Sequence, residues 1–239
     1  MVSTAALTGI DVAEAAAELD GAPATDILRW AAASIPRFAV TSSFGADAAV
    51  LLSLVAEVDA DLPVLFLDTG FHFAESLAYR RELTAFLGLR NVIDVRPVQS
   101  VEQQAREHGA GLYLRDPDAC CALRKVAPLD DVLERYDGWA TGVRRGQTSD
   151  RADTAVVATA RKGGRDLLKV APLAAWTGAD VAGHRLLRDL PPHPLAARGF
   201  GSIGCAPCTS PTRAGEDPRA GRWAGQAKTE CGIHLEPKQ

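Results

Sequence analysis

Between Phe38 and Val95, short apolar runs alternate with helix-period segments at a spacing that suits a parallel sheet. Phe38 to Ser42 is a compact β-type run, followed by an apolar-periodic helix over Asp47 to Val58. Pro63 to Leu67 repeats the strand pattern and closes in Asp68-Thr69-Gly70. A helix over Ala74 to Leu87 then stops at Gly88, and Asn91 to Val95 makes a third strand. Consecutive parallel strands need a helix-length crossover between them, which this alternation supplies. The expected fold class is α/β, a mostly parallel sheet with helices on both faces.

Two alanine-rich helices precede this core, Asp11 to Leu19 and Thr25 to Ala33, with Thr25 placed to cap the second. Beyond Ser100 the pattern loosens. Helices are predicted over Val101 to His108, Pro117 to Arg135 and Thr177 to Arg188, and strands over Trp139 to Thr141 and Leu167 to Val170. After Pro191 the chain is dominated by Gly, Pro and Ser, and irregular stretches of that length usually carry function. The expected organisation is one α/β domain over residues 1–200 and a C-terminal segment over 201–239.

A length of 239 residues is ample for one large core. Net charge is −4, yet residues 1–119 carry 8 Lys+Arg against 17 Asp+Glu (−9), and residues 120–239 carry 18 against 13 (+5). A basic half on an acidic protein fits a small anionic ligand and argues against a nucleic acid partner. No stretch is long and apolar enough for a membrane span. Met1 to Asp20 lacks the basic start and apolar stretch of a signal peptide, and Asp11, Glu14 and Glu18 oppose a transit peptide. A cytoplasmic location is expected, where an odd number of reduced cysteines is no anomaly. Homo-oligomerisation is left open.

Ligands of open α/β sheets bind beyond the carboxyl ends of the strands. Thr41-Ser42-Ser43-Phe44-Gly45-Ala46-Asp47 joins the first strand to a helix N-terminus, where hydroxyls and backbone N–H groups favour an anion. The loop lacks the Gly-Lys-Ser/Thr ending of a P-loop, and an ordinary strand–helix turn explains it equally well.

The five cysteines split by spacing into four and one. Cys120 and Cys121 are adjacent, and Gly204-Cys205-Ala206-Pro207-Cys208 has the composition of a ligand knuckle. Neighbours on a helix point about 100° apart, which suits a single zinc ion poorly and separate corners of a [4Fe–4S] cube better. Two inert buried thiols remain an alternative for the pair alone. Lys125 follows Cys121 by four residues, one helical turn on, where a cation would offset thiolate charge. Cys231 stands apart in Glu230-Cys231-Gly232-Ile233-His234. A histidine three residues away favours the thiolate, and Gly225 and Gly232 would let this tail move. A free cysteine on a tail is the bland alternative.

Taken together, these residues resemble the assimilatory adenylyl-sulfate (APS) reductases of the phosphoadenylyl-sulfate reductase superfamily. The match runs from about Phe38 to His234. It rests on Leu67-Asp68-Thr69-Gly70, Cys120-Cys121-Ala122-Leu123-Arg124-Lys125, Thr141-Gly142-Val143-Arg144-Arg145 and Gly204-Cys205-Ala206-Pro207-Cys208. It also rests on Gly215-Glu216-Asp217-Pro218-Arg219-Ala220-Gly221-Arg222-Trp223 and on the Glu-Cys-Gly-Ile-His tail. The resemblance implies a fold like the adenine-nucleotide α-hydrolases and ATP pyrophosphatases, and a [4Fe–4S] cluster on Cys120, Cys121, Cys205 and Cys208. It implies that Cys231, with His234 beside it, attacks the sulfur of APS, releasing AMP and leaving an S-sulfocysteine. Reduced thioredoxin then frees sulfite. By the same resemblance Ser42, Ser43, Asp68, Thr69 and Gly70 line the nucleotide site, and Lys125, Arg144, Arg145, Arg151, Arg219, Arg222 and His234 face the phosphosulfate. The rival readings are reduction of phosphoadenylyl sulfate (PAPS), an ATP-dependent adenylyltransferase or thiolation enzyme on the same fold, and a zinc-stabilised nucleotide-binding module without catalysis.

Overall fold

A computed structural model describes residues 9–233. Six strands form one sheet: β1 (Phe38–Ser42), β2 (Val64–Leu67), β3 (Val92–Val95), β4 (Gly138–Ala140), β5 (Val157–Lys162) and β6 (Arg165–Val170). Their order is β3-β2-β1-β4-β6-β5, parallel throughout except that β5 runs antiparallel to β6 at the edge. The chain steps outward from β1 to β3 and then returns to the opposite side of β1 with β4. The sheet therefore has its topological switch point between β1 and β4, where such folds open a crevice.

The helices are α1 (Val12–Leu19), α2 (Ala24–Ser34), α3 (Ala48–Val58), α4 (Ala74–Leu87), α5 (Val101–His108), α6 (Leu112–Arg115), α7 (Pro117–Cys121), α8 (Ala127–Leu133) and α9 (Gly178–Leu187). Asp11 caps α1, accepting from the N–H groups of Ala13 and Glu14 at 3.0 Å each. Pro23, not Thr25, occupies the cap position of α2, so Thr25 lies inside the first turn. Proline there presets the backbone for helix entry. Gly88 ends α4 in the left-handed region, at φ 64°.

Successive strand residues face opposite ways, and both faces are dry. Val40, Val64, Phe66, Leu168 and Val170 join Ile27 and Leu28 of α2, Leu52 and Val55 of α3 and Tyr79 and Leu83 of α4 in the larger cluster. Ala39, Leu65, Leu67 and Trp139 pack instead with Leu129 and Leu133 of α8. Burial on both faces explains why β1 and β2 read as near-continuous apolar runs. Each such Leu or Phe contributes roughly 1.5–3 kcal/mol on burial.

Two further elements depart from the sequence reading. The long helix over Pro117 to Arg135 is interrupted: α7 ends at Cys121, Ala122–Val126 form a π turn, and α8 begins at Ala127. Pro128, in the first turn of α8, has no N–H to continue an α ladder, and the wider turn precedes it. The strand β5 was not anticipated and turns the last pair of the sheet into a hairpin. Among the described residues no helix is long and apolar enough to cross a membrane.

Candidate functional site

The switch point is stitched by the Thr41 hydroxyl, which donates to the Ala140 carbonyl at 3.0 Å. Beyond Ser42 the chain turns sharply. Phe44 adopts φ 48°, its N–H donates to the Ser42 hydroxyl at 3.1 Å, and its buried ring meets Phe66 edge-on at 5.5 Å. A left-handed conformation costs a non-glycine residue energy, which the buried ring helps offset. This turn leads into Asp47 at the start of α3. The Asp47 carboxylate makes no cap hydrogen bond and instead binds Arg144, from the loop after β4, at 2.5 Å.

The two loops open a cavity of about 370 Å³ at the carboxyl ends of β1 and β4. Its lining includes Ser42, Ser43 and Thr69, and Lys125, Arg144, Arg151, Arg219 and Arg222 supply cations. Cys231 also lines it. Seven of the residues expected on nucleotide and phosphosulfate are thus neighbours, with Arg144 as an eighth. The structure does not bring Asp68, Gly70 or Arg145 to this cavity. Asp68 accepts from Arg96 and from the Gly70 N–H, both at 3.1 Å, and Gly70 lies against Val101 and the Arg124 guanidinium. Arg145 turns away to Asp20 at 2.7 Å and the Thr154 carbonyl at 2.9 Å. The expected His234 lies outside the described residues.

His72 is a cavity residue that sequence reasoning missed. Its Nε2 hydrogen-bonds the Leu67 carbonyl at 2.9 Å and its ring lies 4.9 Å from Phe66. Burial holds its pKa below the ordinary imidazole range, although the Leu67 carbonyl and Asp68 act the other way. A neutral ring adjoining an anion site is therefore expected. Nothing local in the sequence marks it.

A second, smaller cavity shares Lys125 and Cys205 with the first and is lined by Cys120, Cys121, Cys205 and Cys208 with Phe71, Tyr113, Arg124 and Lys125. All five cysteines are free thiols. Cys205 accepts or donates a contact with the Thr69 hydroxyl at 3.3 Å, and the Gln104 amide donates to Cys120 at 3.8 Å. Burial pushes the Cys121 thiol up to about 11 and raises Cys120 and Cys208 above their ordinary values. Thiolates would thus need compensating positive charge. Arg124 sits buried on one flank, donating to the carbonyls of Thr69 at 2.5 Å and Gln99 at 3.1 Å. Lys125 borders both cavities. Burial works against its charge, but the sulfurs of Cys205, Cys231 and Cys121 outweigh that and raise its pKa. Among the described residues no three His, Cys, Asp or Glu side chains converge to hold one metal ion. The four cysteines instead share the wall of a cavity.

The last stretch before Cys231 ties these parts together. Arg222 lies over the ring of Trp223 at 4.5 Å, with Lys228 at 5.5 Å and Lys125 at 6.0 Å from the same ring. Trp223 packs with Cys121 and Cys231 in one buried cluster, so the lone cysteine and the group of four meet at its ring. A Cβ at Gly221 would sit 2.0 Å from the Ser210 carbonyl oxygen, so the strand-like contact of Thr209 with Arg222 requires glycine beside it. The Nε groups of Arg219 and Arg222 are buried with no hydrogen-bond partner among the described residues. Unpaired guanidinium donors in a cavity call for an anionic ligand.

Fold and site together define an α/β protein of the adenine-nucleotide α-hydrolase type. The chain belongs to the phosphoadenosine phosphosulfate reductase domain family, whose sequence model matches residues 37–211. Curated relatives include proteins named adenosine 5'-phosphosulfate reductase from three bacteria. That of Chelativorans sp. (strain BNC1) is 51% identical over 197 residues, 82% of this chain and 78% of that protein. That of Streptomyces coelicolor is 46% identical over 218 residues, 91% of this chain and 90% of the relative. That of Mycobacterium tuberculosis is 42% identical over 239 residues, covering 93% and 92%. Among solved structures, a phosphoadenylyl-sulfate reductase from Candida auris superimposes with a TM-score of 0.71 at 24% identity, over 83% of this chain and 96% of that one. An FMN adenylyltransferase from Candida glabrata reaches 0.59 at 16% identity, over 85% and 71%. Both likenesses show the fold alone.

Proposed function

We propose that this protein reduces APS to sulfite and AMP in sulfate assimilation, with a thioredoxin-like dithiol as electron donor. One observation carries the reading: Cys231 shares a cavity with strand-end serines and a set of basic side chains, at the switch point of a nucleotide-type sheet. The names of relatives that are 42–51% identical over most of the chain support APS as the substrate. In this reading residues 1–200 form the nucleotide- and cluster-binding unit, and residues 201–239 carry the second knuckle and the catalytic tail.

The chemistry follows from the charges. The Cys231 thiolate attacks the sulfur of the sulfonate, an S–S bond forms, and the S–O bond to phosphate breaks. AMP leaves with the electron pair, and Cys231 holds an S-sulfo group. One thiol of the dithiol attacks the Cys231 sulfur and expels sulfite. Its second thiol attacks the mixed disulfide, so two electrons come from the donor and Cys231 returns as a thiol. A thiolate meeting a sulfated phosphate brings like charges together, and fixed cations offset that cost. Lys125, Arg144 and Arg222 would do so, and Ser42, Ser43 and Thr69 belong to the lining of the same cavity. His234, three residues after the nucleophile in sequence, completes the set by resemblance.

The cysteine arrangement fits a [4Fe–4S] group. Four thiols share one cavity wall, flanked by Arg124 and Lys125, which would balance the charge of bound thiolates. When bound, such a cluster would supply structural cross-linking and a local field, with Cys120, Cys121, Cys205 and Cys208 as ligands.

Arg222→Ala tests the anion site. Losing a charged hydrogen-bond donor costs about 1.5–3 kcal/mol, so APS affinity should fall roughly tenfold to 100-fold. Visible absorption of the iron–sulfur group should stay as in the wild type, since Arg222 ligates nothing. Unchanged affinity by calorimetric titration would show that Arg222 serves Trp223 rather than substrate. Turnover of APS beside PAPS decides the nucleotide, and APS should be the better substrate.

A further inference from the structure

Glu230 immediately precedes the nucleophile, and its carboxylate is among the most buried charges in the molecule, with 2% of the side chain exposed. Both oxygens are engaged. Arg151 Nε donates to one and Nη2 to the other, each at 2.7 Å, in a bidentate fork. Arg219 Nη2 adds a contact at 3.2 Å, and the Thr148 hydroxyl donates at 3.3 Å. Arg151 is itself held by the Gln147 side chain at the edge of the short 3₁₀ turn Ser149–Arg151. The residues just upstream are tied as well: the Thr229 hydroxyl donates to Asp150 at 2.9 Å, and Lys228 pairs with Asp118 on α7.

We propose that the Glu230–Arg151 pair is a clamp that positions Cys231, and that Arg151 therefore serves the tail and not the phosphosulfate. This rests on the reading of Cys231 as the nucleophile. The fork of Arg151 is spent on Glu230, and a buried pair of this kind is costly to break, because either partner alone is an uncompensated buried charge. Three of the five Arg151 N–H groups are engaged, two on Glu230 and one on Gln147, so its charge is already paired, and a substrate oxygen that displaced the fork would leave Glu230 in that state. Arg219 is different. One of its terminal nitrogens reaches Glu230 and the Thr229 carbonyl, yet its Nε is buried without a partner. It links the clamp to whatever anion occupies the cavity. The site thus divides into cations that hold the tail and cations that hold the substrate, with Arg219 shared between them.

Glu230→Gln keeps the shape and removes the charge. Three quantities separate positioning from general support in the cluster-loaded protein. These are the single-turnover rate of SO₃ transfer to Cys231 by mass spectrometry, the affinity for AMP, and the rate at which iodoacetamide alkylates Cys231 without nucleotide. We expect transfer to slow on the order of tenfold to 100-fold, as for a misplaced reacting group, AMP affinity to hold, and alkylation to speed up as the tail leaves the cavity. Combining Glu230→Gln with Arg151→Gln should slow transfer no further than the slower single variant, as for two members of one pair. Should Glu230→Gln not accumulate folded, Glu230→Asp, which keeps the charge and withdraws it by one methylene, is read in the same way. Wild-type rates of transfer and alkylation in Glu230→Gln would overturn the clamp, and so would a fall in AMP affinity matching the fall in transfer. Absence of any SO₃ adduct on wild-type Cys231 would instead overturn the reading beneath it.

Discussion

Serine in place of Cys231 is expected to abolish sulfite release from APS, by several orders of magnitude, while the protein still binds AMP. The side chains are nearly isosteric, and Cys231 packs against Trp223 and Cys121 without holding any strand or helix in place. What changes is the nucleophile. A thiol is intrinsically far more nucleophilic than a hydroxyl, which needs a general base within reach. Lys125 and Arg222 can stabilise an anion but cannot accept the serine proton while they stay charged. Removing the group that forms the covalent intermediate also removes the only route by which the dithiol would reach sulfur. Iron content and visible absorption should match the wild type. Appreciable sulfite from Cys231→Ser would show that the lone cysteine is a bystander.

Cys121→Ser is expected to fail differently, losing iron and stability together with activity. Cys121 is buried, lies on the wall of the smaller cavity and borders Trp223, so its ligation would connect the cluster to the floor of the active-site tail. Metal binding free energy is folding free energy when the ligands come from separate parts of the chain. Here they come from α7 and from the segment beyond Pro191. The variant should lose most of its iron and the brown colour, and unfold at lower temperature. In the wild type about four iron and four sulfide per chain are expected. A full complement of iron in Cys121→Ser, or stoichiometric zinc in active wild-type protein, would remove the cluster from the account.

The strands β1 to β3 and the helices between them were legible because each carries its own period, and burial on both sheet faces exaggerates the signal. β5 was missed although its signal was present. Gly163 and Gly164, at φ 54° and 76°, form the two-residue turn of a hairpin between Val157–Lys162 and Arg165–Val170. The lysine and arginine residues flanking that turn mask the alternation, and only the second arm reads as a strand. The break after Cys121 had one cue, Pro128, but the π turn itself leaves no mark in the sequence.

The site was legible in its residue types and less so in its pairings. Cysteines announce themselves by spacing, whereas an arginine can reach far in many directions. Arg144 and Arg145 are neighbours, yet one turns to Asp47 beside the cavity and the other to Asp20 at the end of α1. Asp68 stands at the end of β2 beside the cavity residues Leu67 and Thr69, but Arg96 draws its carboxylate outward. Arg151 and Glu230 are 79 residues apart, and only the folded chain shows that they meet.

The most direct test of the account mixes the wild-type protein with APS in the absence of any reductant. One SO₃ group should appear per chain, on the peptide that contains Cys231, together with one equivalent of AMP, and adding a reduced dithiol protein should release that group as sulfite. AMP release with no adduct on Cys231, or an adduct mapped to Cys205 or Cys208, would contradict it.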